Sequence, residues 1–400
     1  MSSAVLDVER ARRDTPGCQS VIHLNNAGAS LMPRPVLAAI TDHVALESQI
    51  GGYEAAEQNA GRIEDCYQLL ADLLNCRASE IAVLDSATRA WDLAFYSLPL
   101  GPGDRILTSV AEYASNYISF LQRCHDTGAT VDVIPNDATG QLAVDELEAM
   151  LDPRVKLIAI THVPTNSGLV NPAEAVGEVA RRHGILYLLD ACQSVGQLPV
   201  DVNRIGCDIL STTGRKYLRG PRGTGLLYIR QALATELTPV ILDLYSAKWT
   251  TRTTFEIRDD ARRFESWESS PALKLGLGSA VVHLQGFGID AIWERVQALA
   301  NQLRELLAEV DGVAVVDPGP VRCGIVSFTS PVLPRDLKQL MRVRGINIWT
   351  SETRSTRLDM ESRKLTEVVR ASVHYFNTSE ELLVFQDAVR ECVRAAPQLT

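Results

Sequence analysis

The sequence predicts a three-layer α/β domain with a mostly parallel sheet, followed by a smaller α/β domain. Three observations support this prediction. Short apolar runs alternate with helical stretches from about residue 80 onward. Most of these runs lack the polar alternation of a half-exposed strand, as expected for strands buried on both faces of a parallel sheet. The order of predicted strands and helices changes after about residue 270, which places the domain boundary there.

The N-terminal part begins with a polar stretch, residues 1–20, which we expect to be a loose arm. A short apolar run at 21–24 follows, and the Asn-Asn-Ala-Gly sequence at 25–28 is typical of a turn. Two helices are predicted next. The first spans 35–49 and has proline at its start, and the second spans 57–75 with apolar residues at helical spacing.

The large domain, residues 21–270, then continues as a βαβ pattern, which predicts a parallel sheet covered by helices. Its predicted strands are 81–84, 105–110, 130–134, 157–161, 186–190, 209–212 and 225–229. The smaller domain, residues 271–400, has predicted helices at 272–285, 291–310, 335–344 and 379–396. Its predicted strands are 313–316, 324–329, 346–349 and 368–373.

Composition excludes several classes of protein. The chain has 400 residues and a net charge of −10, which argues against a nucleic-acid-binding protein. No apolar stretch approaches the roughly 20 residues that span a bilayer, and the start does not resemble a signal peptide. None of the 8 cysteines forms a C-x-x-C pair, so we expect no metal site and reduced thiols in a cytoplasmic protein.

Mostly polar residues follow five of the strand candidates, at the strand ends where ligands bind in open α/β sheets. They are Asp85, Ser86, Ala87, Thr88, Glu112, Tyr113, Ser115, Asn116, Thr161, His162, Thr165, Asn166, Asp190, Gln193, Thr212, Thr213, Arg215 and Lys216. Asp190 could cap the segment that follows it or present a fixed negative charge to a bound cation. Lys216 is one of only six lysines against 33 arginines. It could be a solvated surface residue, or an amine whose charge is disfavoured by Arg215 and burial, and therefore a nucleophile or base.

Asp-x-x-Gln at 190–193, a lysine at 216 and a Gly-rich turn into the strand at 225 together resemble the class V aminotransferase family. These are fold-type I enzymes that depend on pyridoxal 5′-phosphate (PLP). Asn26-Ala27-Gly28 resembles the family's N-terminal substrate loop, and the sequence from Arg370 to Thr378 resembles its carboxylate-binding strand and the turn beyond. The resemblance covers about residues 20–395.

The resemblance implies that Lys216 forms a Schiff base with PLP and that Asp190 keeps the pyridine nitrogen protonated. Gln193 and Asn166 would hydrogen-bond the phenolic oxygen. The phosphate would be bound by Ala87 and Thr88 at a helix N-terminus, together with Thr213 and Arg215.

Arg370 would bind the substrate α-carboxylate, with Asn26 and Ala27 beside it, and a homodimer with its sites at the subunit interface is implied. Three features depart from the family. Arg215 stands where histidine often precedes the lysine, and Tyr113 replaces the histidine that stacks on PLP. The stretch 264–270 lacks the Gly-Thr pair that reaches the neighbouring subunit's phosphate.

Cysteine desulfurases of this family use a mobile cysteine before the carboxylate-binding arginine, and residues 347–370 contain none. We therefore expect no persulfide desulfurase. The spacing of His162 and Asn166 is similar to the branch that holds cysteine/cystine C–S lyases and the hercynylcysteine sulfoxide lyase of ergothioneine synthesis. This favours a C–S β-lyase that yields pyruvate and ammonia.

Three alternatives remain open. Transamination needs only Lys216, and an isopenicillin N epimerase-like reaction needs a second acid/base, for which Tyr113 is the nominee. A non-catalytic relative could bind PLP or a partner, although it would not need Lys216, Asp190 and Arg370 together. The basic stretch with Arg354, Arg357, Arg363 and Lys364 is typical of a solvated loop, or else recognises a second carboxylate on the substrate.

Overall fold

Residues 6–20, the described part of the predicted arm, pack against the segment that the sequence assigns to the small domain, and residues 1–5 lie outside the described residues. In the computed structural model, which describes residues 6–396, helix α1 (Val8–Arg13) buries Ala11 and places Arg12 2.7 Å from Glu381. Strand β1 (Ile22–His23) then pairs in parallel with a strand of the small domain. These partners lie far along the chain, so the polar composition of the segment does not reveal them.

Three helices precede the sheet of the large domain. They are α2 (Arg34–Ile50), α3 (Gly52–Gln58) and α4 (Ala60–Leu74). The predicted helix at 35–49 is confirmed as α2. The predicted helix at 57–75 was wrong at its start, because the helix begins only at Ala60. Asn59 separates α3 from α4, and its side chain contacts His43 at 3.2 Å.

A seven-stranded sheet forms the middle layer of the large domain. Its strands are β2 (Ile81–Leu84), β3 (Arg105–Ser109), β4 (Thr130–Ile134), β5 (Val155–Thr161), β6 (Leu186–Asp190), β7 (Ile209–Thr213) and β8 (Gly225–Ile229). They lie in the order β2-β8-β7-β6-β5-β3-β4, and every pairing is parallel except those of β8. The predicted mostly parallel α/β fold is confirmed.

Helices cover both faces of this sheet, which makes the three layers. They are α5 (Ala87–Tyr96), α6 (Ala114–Thr127), α7 (Val144–Ala149), α8 (Ala173–His183), α9 (Val202–Ile205) and α10 (Gln231–Glu236). Successive residues of one strand belong to different cores: Leu188 packs in the cluster that contains Trp91, and Leu189 in the cluster that contains Val176. This burial on both faces explains the continuous apolar runs of the sequence.

The chain then forms an exposed hairpin and enters the small domain. The elements are β9 (Ala247–Trp249), β10 (Phe255–Ile257), α11 (Pro271–Gln285), α12 (Ile289–Ala308), β11 (Ala314–Val315), β12 (Ile325–Thr329), α13 (Pro334–Val343), β13 (Ile346–Asn347), β14 (Trp349–Glu352), α14 (Arg357–Ser362), β15 (Glu367–Ser372) and α15 (Ser379–Ala395). The small sheet is antiparallel, in the order β11-β12-β15-β14, and β1 pairs with β13. Within residues 6–396, no helix by itself has the length and apolarity of a membrane span, and α11 with α12 passes that test only as a pair bent by 79°.

Candidate active site

A cavity of about 290 Å³ lies at the carboxyl ends of β5, β6 and β7 and at the start of α5. Its wall contains Asp85, Ser86, Ala87, Thr88, Tyr113, Thr161, Val163, Thr165, Asp190, Cys192, Gln193, Thr213, Arg215, Lys216, Arg222, Gly223 and Thr224. A larger cavity of about 660 Å³ lies at the opposite ends of the strands, beside Leu157 and Leu186. The smaller one is the candidate site, because it collects the polar strand ends where ligands of α/β sheets bind.

Lys216 lies in the wall of this cavity, three residues after the end of β7. Burial lowers the pKa of its amine to about 8, and Arg215 acts in the same direction. Gly196 allows the turn that follows Gln193 to pack directly against the backbone at Tyr217, next to Lys216. It has a φ of +98°, and a Cβ there would lie 2.3 Å from the backbone of Tyr217. Because burial lowers the pKa of Lys216, its amine is neutral at mildly alkaline pH, as a nucleophile or base requires.

Asp190 ends β6 with a carboxylate that is buried and held at both oxygens. Asn116 Nδ2 donates to Oδ2 at 2.9 Å, and the backbone N–H of Cys192 donates to Oδ1 at 2.9 Å. The orientation of the carboxylate is thus set by the protein before any ligand binds. Its side chain faces the same cavity as Lys216.

The N-terminus of α5 forms another part of the wall. Ser86 caps this helix by accepting a hydrogen bond from the Arg89 backbone, and Ala87 and Thr88 begin it. A Cβ at Gly225 would lie 2.1 Å from the carbonyl carbon of Ser86, so only glycine allows β8 to approach the helix start this closely. Backbone N–H groups at such an end favour an anion, and Arg222 adds a positive charge to the same wall.

Arg370 lies on β15 and is buried, with only one edge of its guanidinium engaged. Nη1 donates to the carbonyl and hydroxyl oxygens of Thr165 at 2.7 and 2.8 Å, and Nη2 reaches Asn25 at 3.4 Å. Within residues 6–396, Arg370 Nε has no hydrogen-bond partner. Burial lowers the pKa of Arg370 to about 10. Arg370 is not itself part of the cavity wall but is joined to it through Thr165, and its Nε with the second hydrogen of Nη2 forms an edge that could donate two parallel hydrogen bonds to a carboxylate.

Asn166, predicted from sequence to contact the cofactor, is not among the residues of the cavity wall, and its buried Oδ1 has no hydrogen-bond partner within residues 6–396. Its Nδ2 donates to Asp359 at 2.6 Å, and its carbonyl accepts a hydrogen bond from Ser327. The preceding residue, Thr165, lines the cavity and contacts both Arg370 and Gln193. Neighbouring residues of one turn point to different sides, and the sequence pattern alone does not show which side holds the ligand.

Asn26 and Ala27 also use their polar groups inside the protein. The Asn26 amide donates to the Ser372 carbonyl at 2.7 Å and accepts from Ser30, while the Ala27 carbonyl accepts from Gln193 at 3.1 Å. They hold the loop beside the cavity, and neither is part of its wall. Asn25, rather than Asn26, contacts Arg370.

The other residues predicted for the cofactor lie together. Ala87, Thr88, Tyr113, Gln193, Thr213 and Arg215 all line the cavity with Asp190 and Lys216. Thr213 Oγ1 already donates to the Thr224 carbonyl at 3.3 Å, and Arg215 donates to the Gly28 carbonyl. Sequence reasoning assigned no role to Thr165, Cys192 or Arg222. Cys192 could have been found from its place inside the Asp-x-x-Gln motif.

No group of three or more histidine, cysteine or acidic side chains within residues 6–396 is placed to hold a metal ion.

The family model described as Aminotransferase class-V matches residues 22–385. A probable cysteine desulfurase of Xylella fastidiosa (strain 9a5c) is 30% identical over 393 residues, which are 94% of this chain and 93% of that protein. The apo structure of a cysteine desulfurase from Thermococcus onnurineus NA1 superposes with a TM-score of 0.90 at 24% identity, covering 99% of this chain and 100% of that one. The cystine C–S lyase C-DES, in complex with its product cysteine persulfide, has a TM-score of 0.84 at 24% identity and covers 94% and 99%.

Proposed function

Since the chain belongs to the class V aminotransferase family, whose cofactor is PLP, we propose that it is a C–S β-lyase. The substrate would be a cysteine-derived thioether, sulfoxide or disulfide, and the products pyruvate, ammonia and the sulfur-containing leaving group. The observation that carries this proposal is the segment before Arg370. It contains no cysteine and is folded against the protein as α14, with Asp359 and Met360 buried.

The residues around the cavity fit PLP. Lys216 offers an amine for the aldehyde, and Asp190 a carboxylate for the ring nitrogen. The start of α5, with Arg222 nearby, suits the phosphate. Gln193 Oε1 is buried and has no hydrogen-bond partner within residues 6–396, as expected for a group that a bound molecule satisfies. Bound PLP supplies an electron sink conjugated to the substrate Cα.

The chain's own residues would then perform three tasks. The free edge of Arg370 would bind the α-carboxylate and orient the substrate. The neutral Lys216 amine would remove the Cα proton as general base. Asp190 would hold a proton at the ring nitrogen. Departure of sulfur from Cβ then needs no protein nucleophile, which agrees with the composition of the segment before Arg370.

Cysteine desulfurases are among the relatives, so a sulfur-accepting cysteine must be considered. Of the cysteines, which are all unpaired thiols, Cys192 is the one in the cavity wall. Burial and the Asp190 carboxylate raise the pKa of this thiol, which disfavours the nucleophilic thiolate. Cys192 is also fixed by its backbone hydrogen bond to Asp190. The thiol therefore lacks the negative charge that a sulfur carrier needs.

A panel of S-substituted cysteines tests the proposed reaction. We expect pyruvate and ammonia without an added 2-oxo acid, and Cys192→Ser should keep at least about a tenth of the wild-type rate because the thiol accepts no sulfur. Dependence on a 2-oxo acid would indicate a transaminase, and loss of optical activity alone an epimerase. Alanine as product, with a persulfide on Cys192 detected by mass spectrometry, would contradict the lyase.

The rate at which the PLP-free protein bonds PLP covalently should depend on pH through Lys216. The amine must be neutral to attack, and its pKa is lowered to about 8. The rate should therefore rise about tenfold per pH unit below pH 8 and level off above it. Visible absorbance after mixing measures this rate. A midpoint near the pKa of about 10.4 of an ordinary lysine would contradict the assignment.

We also propose a homodimer. Leu244, Trp249, Phe255 and Trp267 leave half or more of their surface exposed on and beside the β9–β10 hairpin. Apolar surface of this kind marks a protein–protein contact. Sedimentation of the PLP-bound protein should give the mass of two chains, and Trp249→Lys should shift it toward one.

A further inference from the structure

Glu112 is a buried acid that lies beside the cavity and takes no direct part in the proposed chemistry. Its two carboxylate oxygens accept five hydrogen bonds. Oε2 accepts from Thr108 Oγ1 at 2.9 Å and from the Thr161 backbone at 3.1 Å. Oε1 accepts from the Tyr113 backbone at 2.9 Å, from Asn116 Nδ2 at 2.8 Å and from Thr161 Oγ1. Through these hydrogen bonds, Glu112 connects the end of strand β5 to the start of α6 and to Tyr113, which is one of the residues that line the cavity.

Asn116 connects this acid to Asp190. Its Nδ2 lies 2.8 Å from Glu112 Oε1 and 2.9 Å from Asp190 Oδ2, so one NH₂ group bridges two carboxylates. An ionised carboxylate only accepts hydrogen bonds, so the amide nitrogen rather than its oxygen must face both acids. Glu112 thus sets the orientation of the Asn116 amide, and that amide sets the orientation of Asp190.

The two acids also place negative charge in a buried region. Glu112 forms no ion pair with any residue among 6–396. Burial and the nearby Asp190 raise the pKa of Glu112 to about 7. A cation placed against Asp190 would be attracted by that carboxylate and, above about pH 7, by the ionised Glu112 as well, and the protonated ring nitrogen of PLP is such a cation.

We propose that Glu112 and Asn116 are positioning residues for the cofactor: Glu112 orients the Asn116 amide, and Asn116 holds the Asp190 carboxylate against the protonated ring nitrogen. Neither touches the substrate. The inference rests on the binding of PLP and not on the identity of the reaction, so it stands whether the enzyme is a lyase, transaminase or epimerase.

The test uses PLP-bound protein in which the ring nitrogen is isotopically labelled, and it reads the NMR shift of that nitrogen at saturating PLP. Wild type should show the shift of a protonated pyridine. Asn116→Ala should move the shift toward that of neutral pyridine and weaken PLP binding by about tenfold or more, because a hydrogen bond to a buried charge is lost.

Glu112→Gln should act in the same direction. In either orientation of the new amide, its NH₂ group faces a backbone N–H, that of Thr161 or that of Tyr113, so the network cannot be rebuilt. Should either variant fail to fold, Thr108→Val removes one hydrogen bond to Glu112 without changing shape and should give a smaller change of the same sign.

Ser119→Ala is the matched control. Ser119 is buried one turn further along α6 and contacts Trp91 and the Asn116 carbonyl, but neither carboxylate. It should leave the nitrogen shift unchanged. An unchanged shift in Asn116→Ala, Glu112→Gln and Thr108→Val, with PLP affinity within twofold of wild type, would overturn the inference. Failure of the wild type to bind PLP would instead count against the cofactor assignment.

Discussion

Replacement of Lys216 by arginine should abolish covalent attachment of PLP and lower turnover by about 10³-fold or more. Arginine retains a positive charge and a similar length, but its guanidinium is not deprotonated in proteins and cannot replace the amine. Lys274, another buried lysine, is not expected to replace Lys216. Lys274 is buried in an ion pair with Glu265 at 3.0 Å and is not part of the cavity wall.

Borohydride reduction followed by peptide mass spectrometry measures the attachment, and pyruvate release measures turnover. In wild type the label should be found on Lys216, and in Lys216→Arg on no peptide. Lys156→Arg is the matched control, because Lys156 is an exposed residue of β5. Wild-type activity in Lys216→Arg would show that the proposed chemistry is wrong.

Arg370→Lys should reduce kcat/KM by about 10- to 150-fold, mainly through a higher KM. Lysine keeps the charge but cannot present two parallel donors to a carboxylate, and it cannot keep both hydrogen bonds to Thr165. The loss of a charge-assisted hydrogen bond in a buried site costs about 1.5–3 kcal/mol, which corresponds to this range.

A substrate without the α-carboxylate separates this role from general damage to the fold. For such an amine, Arg370→Lys should react at nearly the wild-type kcat/KM, because the contact that was lost is absent in both proteins. Arg357→Lys serves as control, since Arg357 is exposed and pairs with Glu361 at 2.6 Å on the surface of α14. Equal losses for the amine and the amino acid would mean that Arg370 does not bind the carboxylate.

The layered fold was predictable because burial on both faces of a sheet leaves a direct mark on the sequence. The runs 186–189 and 157–160 contain no charged residue, and they form the strands β6 and β5. The N-terminal segment was not predictable in the same way. Its helix α1 is held by Arg12 and Glu381, a pair that local composition does not indicate.

The sequence by itself determined which residues are present for the proposed chemistry. Lys216 lies beyond a strand in a chain poor in lysine, the Asp-x-x-Gln motif supplies Asp190 and Gln193, and no cysteine lies between 347 and 370. These are properties of residue type and order, which do not change on folding.

Only the tertiary structure decided which neighbouring side chain reaches the site. It turns Thr165 toward the cavity and Asn166 toward Asp359, and it joins Asp190 to Glu112 through Asn116. The physical reason is that a buried polar group must find a partner, and the partner here comes from another element. Which side a turn residue faces depends on that distant partner rather than on the residues beside it.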